Sequence, residues 1–212
     1  MKGVILIGGG GHAKVCAALI QSITDLRLQG YTDLTDRGPL LGFPYLGKDE
    51  TLLASPAGEA DSALVLGVGQ VGLGVLRSRV WQNLAAMQRE LLTLVSPHAV
   101  LTGTQKVGAG CTIMAGAALG VDCVLGDGVI VNTNSTVEHD AALGDWTHIG
   151  PGATVCGQAE VGAFSMVGAG ATVIEGVRIP SMTFVAAGAT VIRSITEPGI
   201  YAGCPARKIR SL

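Results

Sequence analysis

The segment from residue 131 to residue 155 reads VNTNSTVEHDAALGDWTHIGPGATV, and an aliphatic residue returns in it at every sixth position. The same phase continues on both sides without a break. Its members are Val95, Leu101, Val107, Ile113, Leu119, Leu125, Val131, Val137, Leu143, Ile149, Val155, Val161, Val167, Val173, Ile179, Val185 and Val191. Neither the helical period of 3.6 nor the strand period of 2 explains a strict period of six. The pattern predicts short strands joined by tight corners.

Two other phases of the repeat support this interpretation. Four residues after most aliphatic positions comes a small side chain, such as Ala117, Ala141 or Ala153. The position directly after the aliphatic residue is often glycine, at residues 108, 120, 126, 144, 150, 162 and 168. We expect the aliphatic and small residues to point inward, and the glycines to supply backbone angles that a Cβ would oppose. Each turn then buries its apolar face only against its neighbours, as in a solenoid.

This repeat resembles that of the hexapeptide acyltransferases, whose fold is a left-handed parallel β-helix. The resemblance covers Val95 to about Val191 and implies three hexapeptides per coil and five to six coils. It also implies a homotrimer with active sites between subunits. A purely structural β-solenoid is the alternative. The local cluster of polar residues at 132–140 argues against that alternative, because it interrupts the run of small residues at one place.

Composition excludes several classes of protein. With a net charge of −2, the chain has no basic excess to neutralise phosphates, so we expect no nucleic-acid binding. No apolar run reaches the roughly 20 residues of a membrane span. The start of the chain runs straight into glycines instead of a signal sequence, which favours a cytoplasmic protein. The five cysteines form no CxxC pair, so we expect neither a disulfide framework nor a metal site.

The N-terminal residues predict a small α/β domain of Rossmann-like type. An apolar run at 4–7 leads into Gly8–Gly11 and then a helical stretch, and a second apolar run at 63–66 ends at Gly67. Glycines beside a helix N-terminus suit a bound phosphate. We therefore expect a β-α-β-α-β nucleotide-sugar-binding domain at residues 1–92 and a β-helix at 93–212. The glycine spacing also fits an NAD fingerprint, but the domain is too short for the two-half dinucleotide fold. An inert structural domain is the remaining alternative.

The polar cluster contains the candidate catalytic residues. His139 and His148 both lie off the inward phases and should project outward. They are half a coil apart, so they are not stacked in one subunit, although they could meet across a subunit interface. A neutral histidine can remove a proton from an attacking amine or hydroxyl, and a neighbouring carboxylate such as Asp140 fixes its tautomer and raises its basicity. Direct attack on a thioester needs no enzyme nucleophile.

Nearly the whole chain is similar to the bacterial nucleotide-sugar N-acetyltransferases of the bacillosamine and sialic-acid pathways. The matching motifs are 9–15 (GGGHAKV), Asn132 seven residues before His139, the run 137–140 (VEHD), His148 and 203–207 (GCPAR). The resemblance implies that His139 is the base and that Asp140 assists it. It implies contacts to acetyl-CoA at His148, Gly157, Ala169 and Ala187. It implies a nucleotide-sugar pocket at Gly10, Gly11, His12, Asp33 and Gly67.

These features together predict an acetyl-CoA-dependent, homotrimeric N-acetyltransferase that needs no metal. The acceptor is the amine of a nucleotide-linked sugar, a UDP-4-amino sugar first and a GDP-4-amino sugar such as GDP-perosamine second. Two alternatives stay open. One is a sugar O-acetyltransferase of the sialic-acid type on the same scaffold. The other is a non-catalytic partner that only binds a nucleotide sugar, and the His139–Asp140 pair counts against it.

Overall fold

The computed structural model describes residues 1–50, 62–85 and 89–211. They form two compact units, which we call unit 1 (Met1–Gly69 with Arg77–Pro97) and unit 2 (Gln70–Leu76 with His98–Leu212). Unit 2 thus includes a short segment from the N-terminal half. The predicted domain boundary at 92/93 stays a prediction. No helix among the described residues is both long enough and apolar enough to cross a membrane.

Unit 1 is built on a three-stranded parallel sheet. Its elements are β1 (Lys2–Ile7), α1 (Gly11–Gln21), β2 (Leu26–Thr32), β3 (Ala63–Leu66) and β4 (Leu94–Val95), and helix α2 (Val75–Ala85) follows β3 in the chain. The strand order is β2-β1-β3, so the chain leaves the central β1 first on one side and then on the other. In parallel sheets of this kind, ligands bind at the carboxyl ends of the strands, where that reversal occurs.

Unit 2 is a parallel β-helix with three faces, as the resemblance to the hexapeptide acyltransferases implied. Face 1 contains β7 (Thr112–Ile113), β10 (Ile130–Val131), β13 (His148–Ile149), β16 (Met166–Val167), β19 (Thr183–Val185), β21 (Gly199–Ala202) and β22 (Arg207–Arg210). Face 2 contains β5 (Val100–Leu101), β8 (Ala118–Leu119), β11 (Thr136–Val137), β14 (Thr154–Val155), β17 (Thr172–Val173) and β20 (Thr190–Val191). Face 3 contains β6 (Lys106–Val107), β9 (Val124–Leu125), β12 (Ala142–Leu143), β15 (Glu160–Val161) and β18 (Arg178–Ile179).

The register confirms three hexapeptides per coil. Ile130 pairs with His148, and Thr136 pairs with Thr154, so each residue lies beside the residue eighteen positions later. The aliphatic positions from Ile113 to Val191 are all buried. The small residues four positions further on are buried with them, including Ala141, which has no exposed surface. The core of unit 2 is therefore a narrow column of aliphatic and small side chains, which leaves little room for aromatic rings.

The glycines after the aliphatic residues are required for a different reason from the one expected. None of them has a positive φ. A Cβ added to Gly144 would lie 2.5 Å from the backbone nitrogen of Ala163 in the next coil, and one added to Gly120 would lie 2.5 Å from the nitrogen of His139. The expectation of special backbone angles at these positions was wrong. The constraint is the close approach of successive coils, which leaves no space for a side chain.

The left-handed backbone occurs two residues later, at the third position after every aliphatic residue from Val107 to Val185. Glycine occupies this position in several coils, for example Gly152 with φ +64 and Gly170 with φ +64. Other coils place side chains there, including Asn134 with φ 55 and Asp140 with φ 58. Asparagine and aspartate tolerate this conformation better than most residues. Each corner of the coil thus contains one residue that turns the chain onto the next face.

We expect the two glycine classes to respond differently to substitution. Gly144→Ala should lower the free energy of unfolding by about 1–3 kcal/mol, because the added methyl overlaps the next coil. Gly152→Asn should cost less than about 1 kcal/mol, because its position is open and asparagine accepts a left-handed backbone. Thermal or urea denaturation of the two variants measures both values. Equal losses would contradict the assignment of a steric role to the first class.

Candidate functional site

His139 and Asp140 lie together at the corner between faces 2 and 3, which we call corner 2–3. Strand β11 ends at Val137, and the chain then turns at Asp140 in the left-handed conformation. This turn brings the Asp140 carboxylate back onto its neighbour, so that His139 Nδ1 and Asp140 Oδ2 are 2.9 Å apart. Both side chains are about half exposed, at 53% and 52%. The pair is therefore accessible to a substrate.

The surroundings of His139 make it a stronger base. The hydrogen bond with Asp140 raises the pKa of His139 above its ordinary value of 6.5, and the charges of Asp140, Glu138 and Glu175 act in the same direction. Desolvation opposes this shift only in part. Because the carboxylate accepts a hydrogen bond from Nδ1–H, the proton of the neutral ring stays on Nδ1 and the lone pair lies on Nε2. This is the tautomer that a general base facing a substrate requires.

Gly157 provides the space into which Nε2 points. Gly157 lies one coil after His139 at the equivalent position, and Glu175 lies one coil after Gly157. The two coils are joined here by a hydrogen bond from the Gln158 backbone N–H to the His139 carbonyl at 3.0 Å. A Cβ added to Gly157 would lie 2.6 Å from Nε2 of His139. A side chain at this position would push the imidazole away. Glycine at residue 157 therefore fixes where the base can lie.

His148 is buried, although its phase in the repeat directs it outward as expected. It lies on β13 of face 1 with only 6% of its surface exposed, and its neighbour Ile149 fills the core. The ring does point away from the core, but the backbone of Gln70 covers it. Nδ1 lies 3.0 Å from the Gln70 carbonyl oxygen. Nε2 lies 3.0 Å from Nδ2 of Asn132. Both ring nitrogens are therefore occupied within unit 2.

The predicted acetyl-CoA contacts divide between two corners of the coil. Ala169 and Ala187 are exposed and lie at the corner between faces 1 and 2, called corner 1–2, where Asn132 also lies. Gly157 lies with His139 at corner 2–3. Face 2 separates the two groups in a single chain. The structure thus brings His139, Asp140 and Gly157 together, and it does not bring Ala169 and Ala187 to them within one chain.

In unit 1, the predicted nucleotide residues surround the carboxyl ends of the strands. Gly10 precedes α1 as its N-cap without a side-chain cap, and Gly11 is the first helical residue. Both are exposed, and added Cβ atoms would meet nothing within 4 Å. His12 follows them in the first turn. The open helix N-terminus offers backbone N–H groups and a positive dipole end to an anion.

Asp33 and Gly67 have clear structural roles at the same sheet edge. The Asp33 carboxylate accepts hydrogen bonds from the Gly9 backbone N–H at 2.8 Å and from Arg37 Nε at 2.9 Å. Although burial acts to raise the pKa of Asp33, these hydrogen bonds lower it overall. Gly67 is buried, and a Cβ there would lie 3.0 Å from the Cβ of Ala13 in α1. Asp33 therefore holds the glycine turn in place, and Gly67 allows the helix to pack closely.

Sequence reasoning missed two residues of unit 2. No sequence motif marks Gln70, because the residue that it contacts, His148, lies 78 positions further along the chain. Glu175 can be found from the repeat alone, since it lies two coils after His139 in the same phase. Asn132 was identified in the sequence only as part of a motif. In the structure its side chain contacts His148 directly.

Comparisons with known proteins match both parts of the chain. Residues 3–82 match the family described as PglD N-terminal domain, and residues 122–157 match bacterial transferase hexapeptide (six repeats). The acetyltransferase domain of PglB from Neisseria gonorrhoeae FA1090 is 32% identical, with a TM-score of 0.89 over 99% of this chain and 100% of that one. The chain belongs to the PglB-type acetyltransferase family.

Two further relatives support membership of this family. PerB from Caulobacter crescentus, solved in complex with CoA and GDP-perosamine, is 32% identical, with a TM-score of 0.89 over 98% of this chain and 97% of that one. A UDP-N-acetylbacillosamine N-acetyltransferase of Bacillus subtilis (strain 168) is 33% identical over 119 residues, which cover 54% of this chain and 52% of that protein. The match thus spans about half the length of the Bacillus relative. The expected resemblance and fold class are confirmed.

Replacing the carboxylate should weaken the base. We expect Asp140→Asn to lower the pKa of His139 towards its ordinary value, because the hydrogen bond to a charged partner is lost, while asparagine retains the left-handed backbone. An NMR titration of the His139 ring measures the change. Asp122→Asn is the matched control, since Asp122 has φ 56 at the same position one coil earlier and does not contribute to this pKa. An unchanged His139 pKa in Asp140→Asn would contradict the assignment.

Proposed function

We propose that the protein is a cytoplasmic, homotrimeric enzyme that transfers the acetyl group of acetyl-CoA to the amine of a nucleotide-linked amino sugar. The observation that carries this proposal is the His139–Asp140 pair. The hydrogen bond between His139 Nδ1 and Asp140 Oδ2, which is 2.9 Å long, orients the Nε2 lone pair towards the space that Gly157 leaves open. A half-exposed histidine in this arrangement is suited to remove a proton from an incoming nucleophile.

The reaction consists of one displacement. The neutral amine attacks the thioester carbonyl, a C–N bond forms, and His139 Nε2 accepts the proton that the nitrogen loses. The C–S bond then breaks, and the imidazolium returns the proton to the leaving sulfur, which yields the amide and free CoA. Asp140 stabilises the imidazolium while it exists, since its carboxylate accepts a hydrogen bond from Nδ1. The histidine ends the cycle in its starting state.

The charges around His139 favour an amine over a hydroxyl acceptor. Glu138, Asp140 and Glu175 all raise the pKa of this histidine, so all three bring negative potential to its ring. An amino sugar that arrives as an ammonium cation is attracted to that potential and releases one proton to solvent before it attacks as the neutral amine, whereas a neutral hydroxyl gains nothing from it. This favours N-acetylation over the O-acetylation of a sialic-acid-type substrate.

Unit 1 is the proposed site for the nucleoside diphosphate. Gly10, Gly11 and His12 present the uncapped N-terminus of α1, whose dipole and N–H groups favour a diphosphate. Asp33 keeps the preceding glycine turn in position through its hydrogen bond with Gly9. PerB holds GDP-perosamine and CoA in its crystal structure, which supports the same two classes of substrate for this chain.

A trimer accounts for the division of the site between two corners. His139 and Gly157 lie at corner 2–3, while Asn132, Ala169 and Ala187 lie at corner 1–2 of the same chain. If corner 2–3 of one subunit faces corner 1–2 of its neighbour, the base and the exposed alanines line one groove. The alanines leave room there for the extended acetyl-CoA chain. Each trimer then contains three equivalent sites.

Loss of the base should abolish most of the turnover. We expect His139→Ala to lower kcat by about 10²–10⁴-fold, the usual contribution of a general base, with an unchanged melting temperature because the ring is exposed. Thiol release from acetyl-CoA, measured with UDP- and GDP-linked 4-amino sugars, provides the rate. The wild-type rate should fall as pH drops through the raised pKa of His139, and in Asp140→Asn this fall should move to lower pH.

The same assay separates the alternatives. Full activity of His139→Ala would remove this residue from its role. Turnover of sugar hydroxyls but not of any amino sugar would replace N-acetylation by O-acetylation. Binding of a nucleotide sugar without any thiol release would identify a non-catalytic binding protein instead.

A second substitution tests the space beside the base. We expect Gly157→Ala to lower kcat by about a hundredfold, because its methyl group would lie 2.6 Å from Nε2 and displace the ring from its working geometry. Gly42→Asn is the control, since an added Cβ there meets nothing within 4 Å and asparagine tolerates its left-handed backbone at φ +87. Wild-type turnover in Gly157→Ala would show that the ring does not need its position over residue 157.

A further inference from the structure

The segment Gln70–Leu76, which we call the strap, packs against the coils of unit 2. The Gly72 backbone N–H donates to the sulfur of Met166 at 3.1 Å, and the Gly74 N–H donates to the Phe164 carbonyl at 3.4 Å. A Cβ added to Gly74 would lie 2.8 Å from the Cβ of Trp146. The strap is therefore attached at several points, and residue 74 allows it to approach the coil closely.

Gln70 anchors the strap with its side chain as well as its backbone. Its Nε2 donates to the Gly72 carbonyl at 3.1 Å and to the Ser165 carbonyl at 3.4 Å. These two acceptors fix which end of the amide is nitrogen. The side chain is only 7% exposed, and its Oε1 is buried without a hydrogen-bond partner among the described residues. Such an acceptor destabilises the fold, so an amide at this position needs a compensating role.

The backbone carbonyl of Gln70 determines the tautomer of His148. A carbonyl oxygen can only accept, so His148 Nδ1 must carry the proton that bridges the 3.0 Å between them. On the other side of the ring, Asn132 Oδ1 accepts from the Thr133 N–H at 2.8 Å, which leaves Asn132 Nδ2 facing His148 Nε2. Nε2 must then be the acceptor. Gln70, His148 and Asn132 thus form a chain of hydrogen bonds with one consistent direction.

We infer that Gln70 is a positioning residue, which holds His148 as the neutral Nδ1–H tautomer and thereby fixes the carboxamide of Asn132 at corner 1–2. Thr133 occupies Oδ1 of Asn132, and His148 occupies one of its two Nδ2 hydrogens. The second Nδ2 hydrogen is therefore held in a single direction. That N–H can donate to an acyl or sugar oxygen of a bound substrate. His148 itself cannot serve as a base in this arrangement, since its only lone pair is engaged. The expected effect on kcat rests on the proposed transferase function, whereas the expected tautomer of His148 does not.

The tautomer can be measured directly, without any substrate. Long-range ¹H–¹⁵N correlation spectra of the full chain distinguish a protonated Nδ1 from a protonated Nε2. We expect His148 to be in the Nδ1–H form in the wild type. Gln70→Ala removes the two side-chain anchors, and Gly74→Ala displaces the strap while leaving Gln70 unchanged. Both variants should shift His148 towards a mixture of tautomers and lower kcat by about tenfold or more, as misplaced site groups do.

Two further measurements separate positioning from general loss of structure. The pKa of His139 should be unchanged in both variants, because its partner Asp140 lies at another corner. Gln21→Ala, an exposed position at the end of α1, is the matched control and should behave as the wild type. The inference is overturned by an Nε2–H tautomer in the wild type, or by variants that keep the wild-type tautomer. It is also overturned if the tautomer changes and kcat does not. Absence of turnover on every amino sugar would instead refute the proposed function.

Discussion

The whole of unit 2 depends on the eighteen-residue register between coils. Backbone hydrogen bonds run from each coil to the next, so any residue is stacked on its equivalents above and below. One residue in the left-handed conformation at each corner keeps this register, because it turns the chain onto the next face after a fixed number of residues. The register also places the imidazole of His139 over Gly157. The geometry of the base is thus a property of the coil, not of a flexible loop.

The corner that the fold requires is also the corner that the chemistry uses. Asp140 has a left-handed backbone because every coil needs one there, and aspartate tolerates it through its short polar side chain. The same conformation returns the carboxylate to the adjacent ring. Trp146, Phe164 and Met182 occupy the left-handed position at the corner between faces 3 and 1, at a cost of about 1 kcal/mol or more each. Two of them, Trp146 and Phe164, contact the strap, so here too a strained corner coincides with a contact that the site requires.

The sequence was sufficient to predict what is periodic or local. The strict recurrence of aliphatic residues predicted the short strands, the tight corners and the buried core, because one short motif determines every turn. The resemblance to the hexapeptide acyltransferases supplied three hexapeptides per coil and therefore the register. The neighbouring positions of His139 and Asp140 gave their pairing. The role of the glycines was misjudged, since close approach between coils and unusual φ produce the same residue preference. The burial of His148 could not be predicted, because the covering residue, Gln70, lies in a segment without periodicity, 78 positions away.

Two histidines of one scaffold receive opposite tasks from their hydrogen-bond partners. His139 faces a carboxylate, which accepts a hydrogen bond from Nδ1–H, stabilises the imidazolium and leaves Nε2 open to a substrate. His148 faces a carbonyl oxygen on one side and an amide N–H on the other, which together occupy both nitrogens of the neutral ring. Protonation of His148 would place two donors against each other, because Asn132 Oδ1 is already held by the Thr133 N–H. The partners, more than the imidazoles themselves, therefore decide which histidine can move a proton and which one can only orient its neighbours.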